Sequence, residues 1–150
     1  MQHTLKKFGY PESLIKEYNN WLVLLRPQQV TLGSLVLIEK SGKYHFSDLS
    51  QESFLEFPSI IADVEQVLAD EFQYDKLNYL MLMMVDPEVH FHIIPRYSKS
   101  RSYGSFVFAD PGWPAIPRLD HINEVSDEMR YVLVTQLGMQ FKKWESSRNK

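Results

Sequence analysis

Two histidines, His90 and His92, stand two residues apart in a run that is otherwise typical of a β-strand, Val89-His90-Phe91-His92-Ile93-Ile94-Pro95-Arg96. Side chains alternate between the two faces of a strand, so Glu88, His90 and His92 are expected on one face. A neutral imidazole is a good nucleophile toward phosphorus and titrates near neutral pH. One histidine could therefore react while the other stabilises charge or orients a phosphate oxygen. Glu88 could fix the tautomer of a histidine or assist proton transfer.

Basic residues follow this strand directly, namely Arg96, Lys99 and Arg101, and a polyphosphate substrate needs cationic partners of this kind. Two other interpretations of the histidine pair stay open. The pair could be a polar patch without chemistry. It could also bind a metal, since His-x-His is a common ligand spacing. An iron or manganese centre would need a further acid and a further histidine. Glu88 could supply the acid, but no recognisable motif surrounds the other histidines.

Composition limits the classes of function that fit the chain. Its 150 residues predict one domain with a real core. The net charge of −3 argues against general binding to nucleic acid or to anionic membranes. The absence of cysteine excludes disulfides and thiolate metal sites and is compatible with a reducing cytoplasm. No signal-peptide pattern is present, and the longest apolar run, Tyr79–Val85, is too short to span a bilayer. A cytoplasmic protein without membrane contact is the expectation.

Hydrophobic periodicity predicts the elements that must position the histidines. Helices are predicted from Pro11 to Tyr18, from about Ser50 to Phe72 and from about Val125 onward. Strands are predicted at Trp21–Leu25, Leu35–Ile38, Leu77–Val85 and Tyr103–Phe108. Pro58 should kink or restart the middle helix, and Asp86-Pro87 should turn the preceding strand into the histidine strand as an antiparallel hairpin. Together these elements predict an α+β fold, a mostly antiparallel sheet with flanking helices.

The histidine strand resembles the signature of histidine-triad (HIT) proteins, in which histidines alternate with apolar residues and Pro-Arg often follows. The chain order also resembles that family: strand, Gly33, strand, Asp48-Leu49-Ser50, long helix, an Asn78-containing strand and the histidine strand. The resemblance covers roughly residues 20–97. It implies a single HIT-like domain over residues 1–150, with a core at about 20–97 and a C-terminal loop and helix at 98–150.

The resemblance also implies an activity. His90 would attack the α-phosphate of a nucleoside phosphate ester or anhydride and form a nucleotidyl-histidine, with His92 in support. Water or another acceptor would then resolve this intermediate, as in a nucleotide hydrolase or nucleotidyl transferase. Diadenosine polyphosphate is the default substrate, and the candidate substrate-binding residues are Glu88, Arg26, Asn78 and Arg96. No protein-bound metal is implied, although magnesium can accompany a polyphosphate. Family members are usually homodimers, so a homodimer is expected.

Three positions depart from the family pattern. Glu88 occupies the place of the first histidine, where a short-hairpin bacterial-type branch often has glutamine. Met83-Met84 replaces a Gly-Asn or Gly-Gln element. Arg26 lies seven residues before Gly33, where many relatives carry an Asp or Asn that binds ribose hydroxyls, and an arginine cannot accept those hydrogen bonds. Arg26 could instead bind phosphate, or be a surface charge. These departures leave open a non-catalytic nucleotide-binding or regulatory module.

Overall fold

The computed structural model describes residues 2–148 and contains a five-stranded antiparallel sheet, a separate two-stranded sheet and four α-helices within that range. The helices are α1 (His3–Lys7), α2 (Gln51–Leu55), α3 (Phe57–Phe72) and α4 (Asp127–Arg148). The strands are β1 (Leu14–Glu17), β2 (Trp21–Leu25), β3 (Leu35–Glu39), β4 (Lys76–Leu80), β5 (His90–Arg96), β6 (Arg101–Tyr103) and β7 (Phe106–Phe108). The large sheet has the order β1-β2-β3-β5-β4. The predicted α+β class is confirmed.

Strands β2 and β3 are buried along their whole length because apolar layers cover both faces of the sheet. One face packs against α3 and α4 in the main core. The other face packs against Leu5 and Phe8, at and just beyond the end of α1, in a smaller cluster. Side chains on two buried faces explain why these strands are continuously apolar rather than alternating. The histidine strand β5 lies beside β3 and has the same two environments.

The predicted restart at Pro58 is present as a break between α2 and α3. Ser50 caps α2, and its hydroxyl accepts a hydrogen bond from the Ser53 backbone N–H. Pro58 lies in the first turn of α3, where the missing N–H of proline costs no helical hydrogen bond. The helix ends at Phe72, because Gln73 adopts a left-handed conformation with φ of 48°.

Gly33 lets the turn before β3 approach α3 closely. Its φ is +85°, and a Cβ at this position would lie 2.6 Å from Phe72 Cε2. Both the backbone conformation and the space therefore require glycine. The close approach holds β3, and with it the neighbouring histidine strand, against the end of α3.

The predicted helix from Pro11 to Tyr18 is wrong, because this segment forms strand β1, which pairs antiparallel with β2. The register shifts between Leu14 and Lys16. Leu14 packs on the α1 side of the sheet and Ile15 on the main core, as neighbours in a strand do. Ile15 and Tyr18, three residues apart, both pack on the main core, which strict alternation would not allow. The irregularity therefore gives the apolar residues a helix-like spacing. The N-terminal helix is instead α1.

Other element boundaries also differ from the predictions. Strand β4 ends at Leu80, so a loop over residues 81–89 joins it to β5 in place of a tight turn at Asp86-Pro87. The two strands are nevertheless antiparallel neighbours, as predicted. The single strand predicted at Tyr103–Phe108 is a hairpin of β6 and β7 that turns at Gly104, whose φ is 59°.

The C-terminal helix is confirmed as α4, whose buried side chains are Leu133, Leu137 and Phe141. The neighbouring Val132 is 46% exposed. Nowhere in residues 2–148 does a helix combine the length and apolar character that crossing a membrane requires.

Candidate active site

The two histidines of β5 share one face of the sheet, the face that α1 covers. Across the ladder with β3, His90 opposes Ile38 and His92 opposes Val36. Directly opposed residues of paired strands point to the same side, so both imidazoles lie beside the smaller apolar cluster. Their ring centroids are 5.0 Å apart. Phe8, which follows α1, packs 6.2 Å from the His90 ring and 5.7 Å from the His92 ring.

A backbone hydrogen bond sets the tautomer of His90. Its Nδ1 lies 2.6 Å from the main-chain carbonyl oxygen of Glu88. Because a carbonyl oxygen can only accept, Nδ1 must carry a proton and donate it. In the neutral ring the lone pair is then on Nε2, the atom left for nucleophilic attack. Glu88 therefore controls this tautomer through its backbone and not through its carboxylate.

The carboxylate of Glu88 binds the start of α1. Oε1 accepts from the His3 backbone N–H at 2.8 Å and Oε2 from the Thr4 hydroxyl at 2.6 Å. Burial alone would raise the pKa of Glu88, but these hydrogen bonds outweigh burial and lower the pKa. The Glu88 carboxylate thus attaches the start of α1 to the face of the sheet that carries the histidines. Its substrate-binding role stays a prediction.

His92 is uncharged at neutral pH. Burial lowers its pKa to about 4, and the charges of His90 and Arg26 act in the same direction, while Asp86 opposes them. Its Nδ1 is buried and has no hydrogen-bond partner. A neutral imidazole in this position can offer a hydrogen bond to a phosphate oxygen without a change of charge.

A small cleft of about 180 Å³ opens onto the two imidazoles. Its walls come from five parts of the chain: the end of α1 with the residue after it, the residue after β2, the loop before β5, strand β5 itself and the segment between β7 and α4. The lining residues are Lys7, Phe8, Arg26, Leu82, Met83, Met84, Val85, Asp86, His90, His92 and Leu119. Asp86 is buried, and its carboxylate lies 3.2 Å from His3 Nε2 and forms an ion pair with Lys7 Nζ at 3.1 Å. Lys7 and Arg26 bring positive charge to the cleft, whereas its loop residues 82–85 are apolar.

Arg26 is the predicted substrate-binding residue that the structure does bring to the histidines. Its guanidinium carbon lies 5.7 Å from the centre of the Phe8 ring, and Nη1 donates to the Gln28 carbonyl at 2.7 Å. Burial lowers the pKa of Arg26, and the nearby Asp86 carboxylate partly offsets this effect. The residue is thus a component of the cleft and not an isolated surface charge.

No family model and no curated protein matches the sequence. Solved structures do match. A histidine triad protein from Bradyrhizobium japonicum superposes with a TM-score of 0.73 at 20% identity, over 94% of this chain and 96% of that one. A zinc-bound histidine triad family protein from Mycobacterium smegmatis gives 0.65 at 15% identity, over 91% and 88%. Diadenosine triphosphate hydrolase from Plasmodium falciparum, in complex with cyclomarin A, gives 0.64 at 12% identity, over 89% and 78%.

The protein has the histidine-triad fold. The resemblance read from the histidine strand is thereby confirmed for the fold. The match to the Bradyrhizobium histidine-triad structure leaves only 6% of this chain outside it. It therefore extends well beyond residues 20–97 and takes in most of the C-terminal loop and α4, where the sequence pattern had shown no resemblance.

Three predicted substrate-binding residues, Glu88, Asn78 and Arg96, are not among the residues that line the cleft. The guanidinium of Arg96 donates from Nε and Nη2 to Asp110, at 2.7 and 3.2 Å, and from Nη1 to Asn78 Oδ1 at 2.8 Å. The Arg96 side chain is only 4% exposed and that of Asp110 only 1%. Arg96 and Asn78 therefore serve the packing of a loop against β5, and the structure does not place either beside the imidazoles. Lys99 is exposed and does not line the cleft.

Sequence reasoning missed the cleft residues that come from α1 and from the loop before β5. Lys7, Phe8 and Asp86 all line the cleft, yet no motif surrounds them. The spacing of Leu5 and Phe8 by three residues is the one signal that could have indicated an apolar helical face at the N-terminus. Within residues 2–148, no three His, Cys, Asp or Glu side chains converge in a way that could hold a metal ion.

The depressed pKa of His92 predicts a pH-dependent stability. The unfolded chain binds a proton at His92 near pH 6.5, whereas the folded protein does so only near pH 4. The share of the free energy of unfolding that depends on a neutral His92 is fully present above pH 6.5. It is lost progressively as the pH falls toward 4, and the total loss is about 3 kcal/mol. Urea denaturation of the wild type and His92→Gln between pH 7 and 4.5 measures it. The wild type should lose more stability than the variant over this range, and parallel curves would contradict the assignment.

Proposed function

We propose that this protein is a nucleotide hydrolase or nucleotidyl transferase in which His90 forms a nucleotidyl-histidine intermediate. The observation that carries the proposal is the hydrogen bond from His90 Nδ1 to the Glu88 carbonyl, which leaves the lone pair of the neutral ring on Nε2 of a residue that lines the cleft. The likeness to the Plasmodium diadenosine triphosphate hydrolase supports diadenosine polyphosphate as the first substrate to test. The α-phosphate of a nucleoside ester or anhydride is the proposed point of attack.

The chemistry has two balanced steps. In the first, the Nε2 lone pair forms an N–P bond to the α-phosphorus, and the P–O bond to the leaving group breaks with its electron pair. In the second, a water or acceptor oxygen forms a P–O bond, loses its proton to solvent, and the N–P bond breaks to restore the lone pair. The Glu88 carbonyl steadies the positive charge that the His90 ring acquires in between. His92 supplies a hydrogen bond to a phosphate oxygen.

A homodimer is proposed as well. Strand β4 is an edge of the five-stranded sheet, and a wholly apolar hollow formed by Leu37, Phe57, Ile61, Tyr79 and Phe91 lies beside it. An open strand edge next to exposed apolar surface favours pairing with a second copy. Light scattering on the purified protein would measure the mass in solution. The cytoplasmic location and the lack of nucleic-acid binding stay predictions.

The covalent intermediate gives the direct test. The protein is incubated with diadenosine triphosphate and related nucleotides and quenched in alkaline denaturant. Its intact mass is then measured by mass spectrometry. A gain of one adenylyl group, mapped by peptide analysis to His90, is the expected result. The amount of adduct should rise and fall with turnover of the nucleotide.

Other outcomes would favour the alternatives. Nucleotide binding without adduct or turnover across the panel would indicate a non-catalytic binding or regulatory module. The replacement of the family's Gly-Asn element by Met83-Met84, in the wall of the cleft, is the observation in favour of that alternative. Stoichiometric iron, manganese or zinc by elemental analysis, lost in His92→Ala, would indicate a metal-dependent enzyme.

A further inference from the structure

One edge of the Arg26 guanidinium carries donors that have no hydrogen-bond partner among the described residues. Its Nη1 is used by the Gln28 carbonyl, whereas Nε is buried and makes no hydrogen bond. Among residues 2–148, no acceptor is found for Nη2 either. A buried donor left unpaired is unfavourable, so an acceptor supplied by a ligand would be bound firmly. Nε and Nη2 lie on one edge of the planar guanidinium, with the spacing that two oxygens of a phosphate or carboxylate match.

Lys7 adds a second cation to the same cleft. Asp86 holds its ammonium at 3.1 Å, and with a side chain 42% exposed Lys7 keeps donors available to a ligand. Asp86 is the one carboxylate lining the described cleft. Apart from the imidazoles, Lys7 and Arg26 therefore give the cleft one positive charge in excess of Asp86. A concave site with such an excess attracts anions.

Apart from the two imidazoles, the described lining of the cleft has no free side chain that could accept hydrogen bonds from a sugar diol. Among its described lining residues, the single carboxylate is Asp86, and its two oxygens are taken by His3 and Lys7. The lining contains no asparagine or glutamine. The position occupied by Arg26 thus offers donors only, where recognition of ribose would require acceptors.

We infer that Arg26 and Lys7 bind a second anionic group of the substrate, next to the phosphate that reacts with His90, and that recognition does not use the ribose hydroxyls. This inference rests on the proposed function and names the substrate class within it. The preferred substrates are anhydrides whose leaving group is itself a phosphate or polyphosphate. Phosphoramidates and esters with a neutral leaving group lack the second anion and are poorer substrates.

Binding of inorganic tripolyphosphate tests the anion site without any chemistry at His90. Calorimetric titration at fixed ionic strength, without magnesium, should show that Arg26→Gln weakens binding by about ten-fold or more, as expected for loss of charged hydrogen bonds. Lys7→Gln should weaken it by a smaller factor. Arg26→Lys keeps the charge but not the paired donors and should fall in between. Lys99→Gln, which removes an exposed charge outside the cleft, should bind as the wild type does.

The inference that the ribose hydroxyls are not recognised is tested with ADP and 2′-deoxy-ADP. Their dissociation constants should agree within about two-fold. A ten-fold preference for ADP would overturn it. Tripolyphosphate binding that is absent from the wild type, or unchanged in a folded Arg26→Gln protein, would overturn the anion site. Thermal melting establishes that each variant is folded.

The two proposals fail in different ways. Arg26-dependent binding of tripolyphosphate without a His90 adduct would leave the anion site standing and reject the catalytic step. A His90 adduct together with tripolyphosphate binding that does not depend on Arg26 would support the catalytic step and reject the anion site.

Discussion

Replacing His90 with glutamine is expected to lower kcat on a diadenosine polyphosphate by about 10³-fold or more, because the variant has no nucleophilic nitrogen. Glutamine is a suitable replacement since its amide N–H can still donate to the Glu88 carbonyl that holds His90 in the wild type. The fold and the cleft should therefore be retained. Steady-state kinetics and intact-mass analysis of the quenched reaction measure the effect, and the adenylyl adduct should disappear with the activity.

The control for this variant must be a histidine without contact to the cleft. His3 is unsuitable, because its ring contacts Asp86 and its backbone N–H binds the Glu88 carboxylate. His45 is exposed and is not among the residues that line the cleft, so His45→Gln should retain wild-type kcat. Undiminished turnover by a folded His90→Gln protein would reject His90 as the nucleophile.

The histidine strand was predictable because its pattern is local. His90 and His92 alternate with Phe91 and Ile93 over a few residues, and period-two alternation is a direct consequence of strand geometry. The same holds for the restart at Pro58, which follows from the missing N–H of proline. Segments governed by neighbours near in sequence were therefore read correctly.

The roles of the arginines could not be predicted, because their partners are distant in sequence. Arg96 follows the histidines in the family motif, yet its guanidinium binds Asp110, fourteen residues further along. Arg26 has no motif of its own, yet folding of α1 brings Phe8 and Lys7 to it. A side chain's position on a strand was predictable, whereas its partner depended on tertiary packing.

Strand β1 shows a second limit of pattern analysis. The register shift between Leu14 and Lys16 lets Ile15 and Tyr18, three residues apart, pack on the same main core. Helical periodicity and an irregular strand then produce similar spacing, and only pairing with β2 decides between them.

Replacing Asp110 with alanine is expected to destabilise the fold by about 3–5 kcal/mol, because it leaves a buried arginine without its counter-charge. The carboxylate accepts from Arg96 Nε and Nη2 and from the Tyr97 backbone N–H. Both charged side chains are almost completely buried, so water cannot replace the lost acceptor. Urea denaturation at pH 7, monitored by tryptophan fluorescence, gives the free energy of unfolding for the variant and the wild type.

An exposed ion pair provides the matched control for the buried ion pair of Arg96 and Asp110. Asp120 also binds an arginine, Arg118, but both side chains are largely exposed, so Asp120→Ala should leave the denaturation midpoint nearly unchanged. The paired replacement Asp110→Leu with Arg96→Met removes both buried charges and should recover much of the stability lost in Asp110→Ala. A loss below about 1 kcal/mol in Asp110→Ala would mean that Arg96 finds another acceptor or reaches solvent. Arg96 would then be free to move, and its predicted role as a substrate ligand would return.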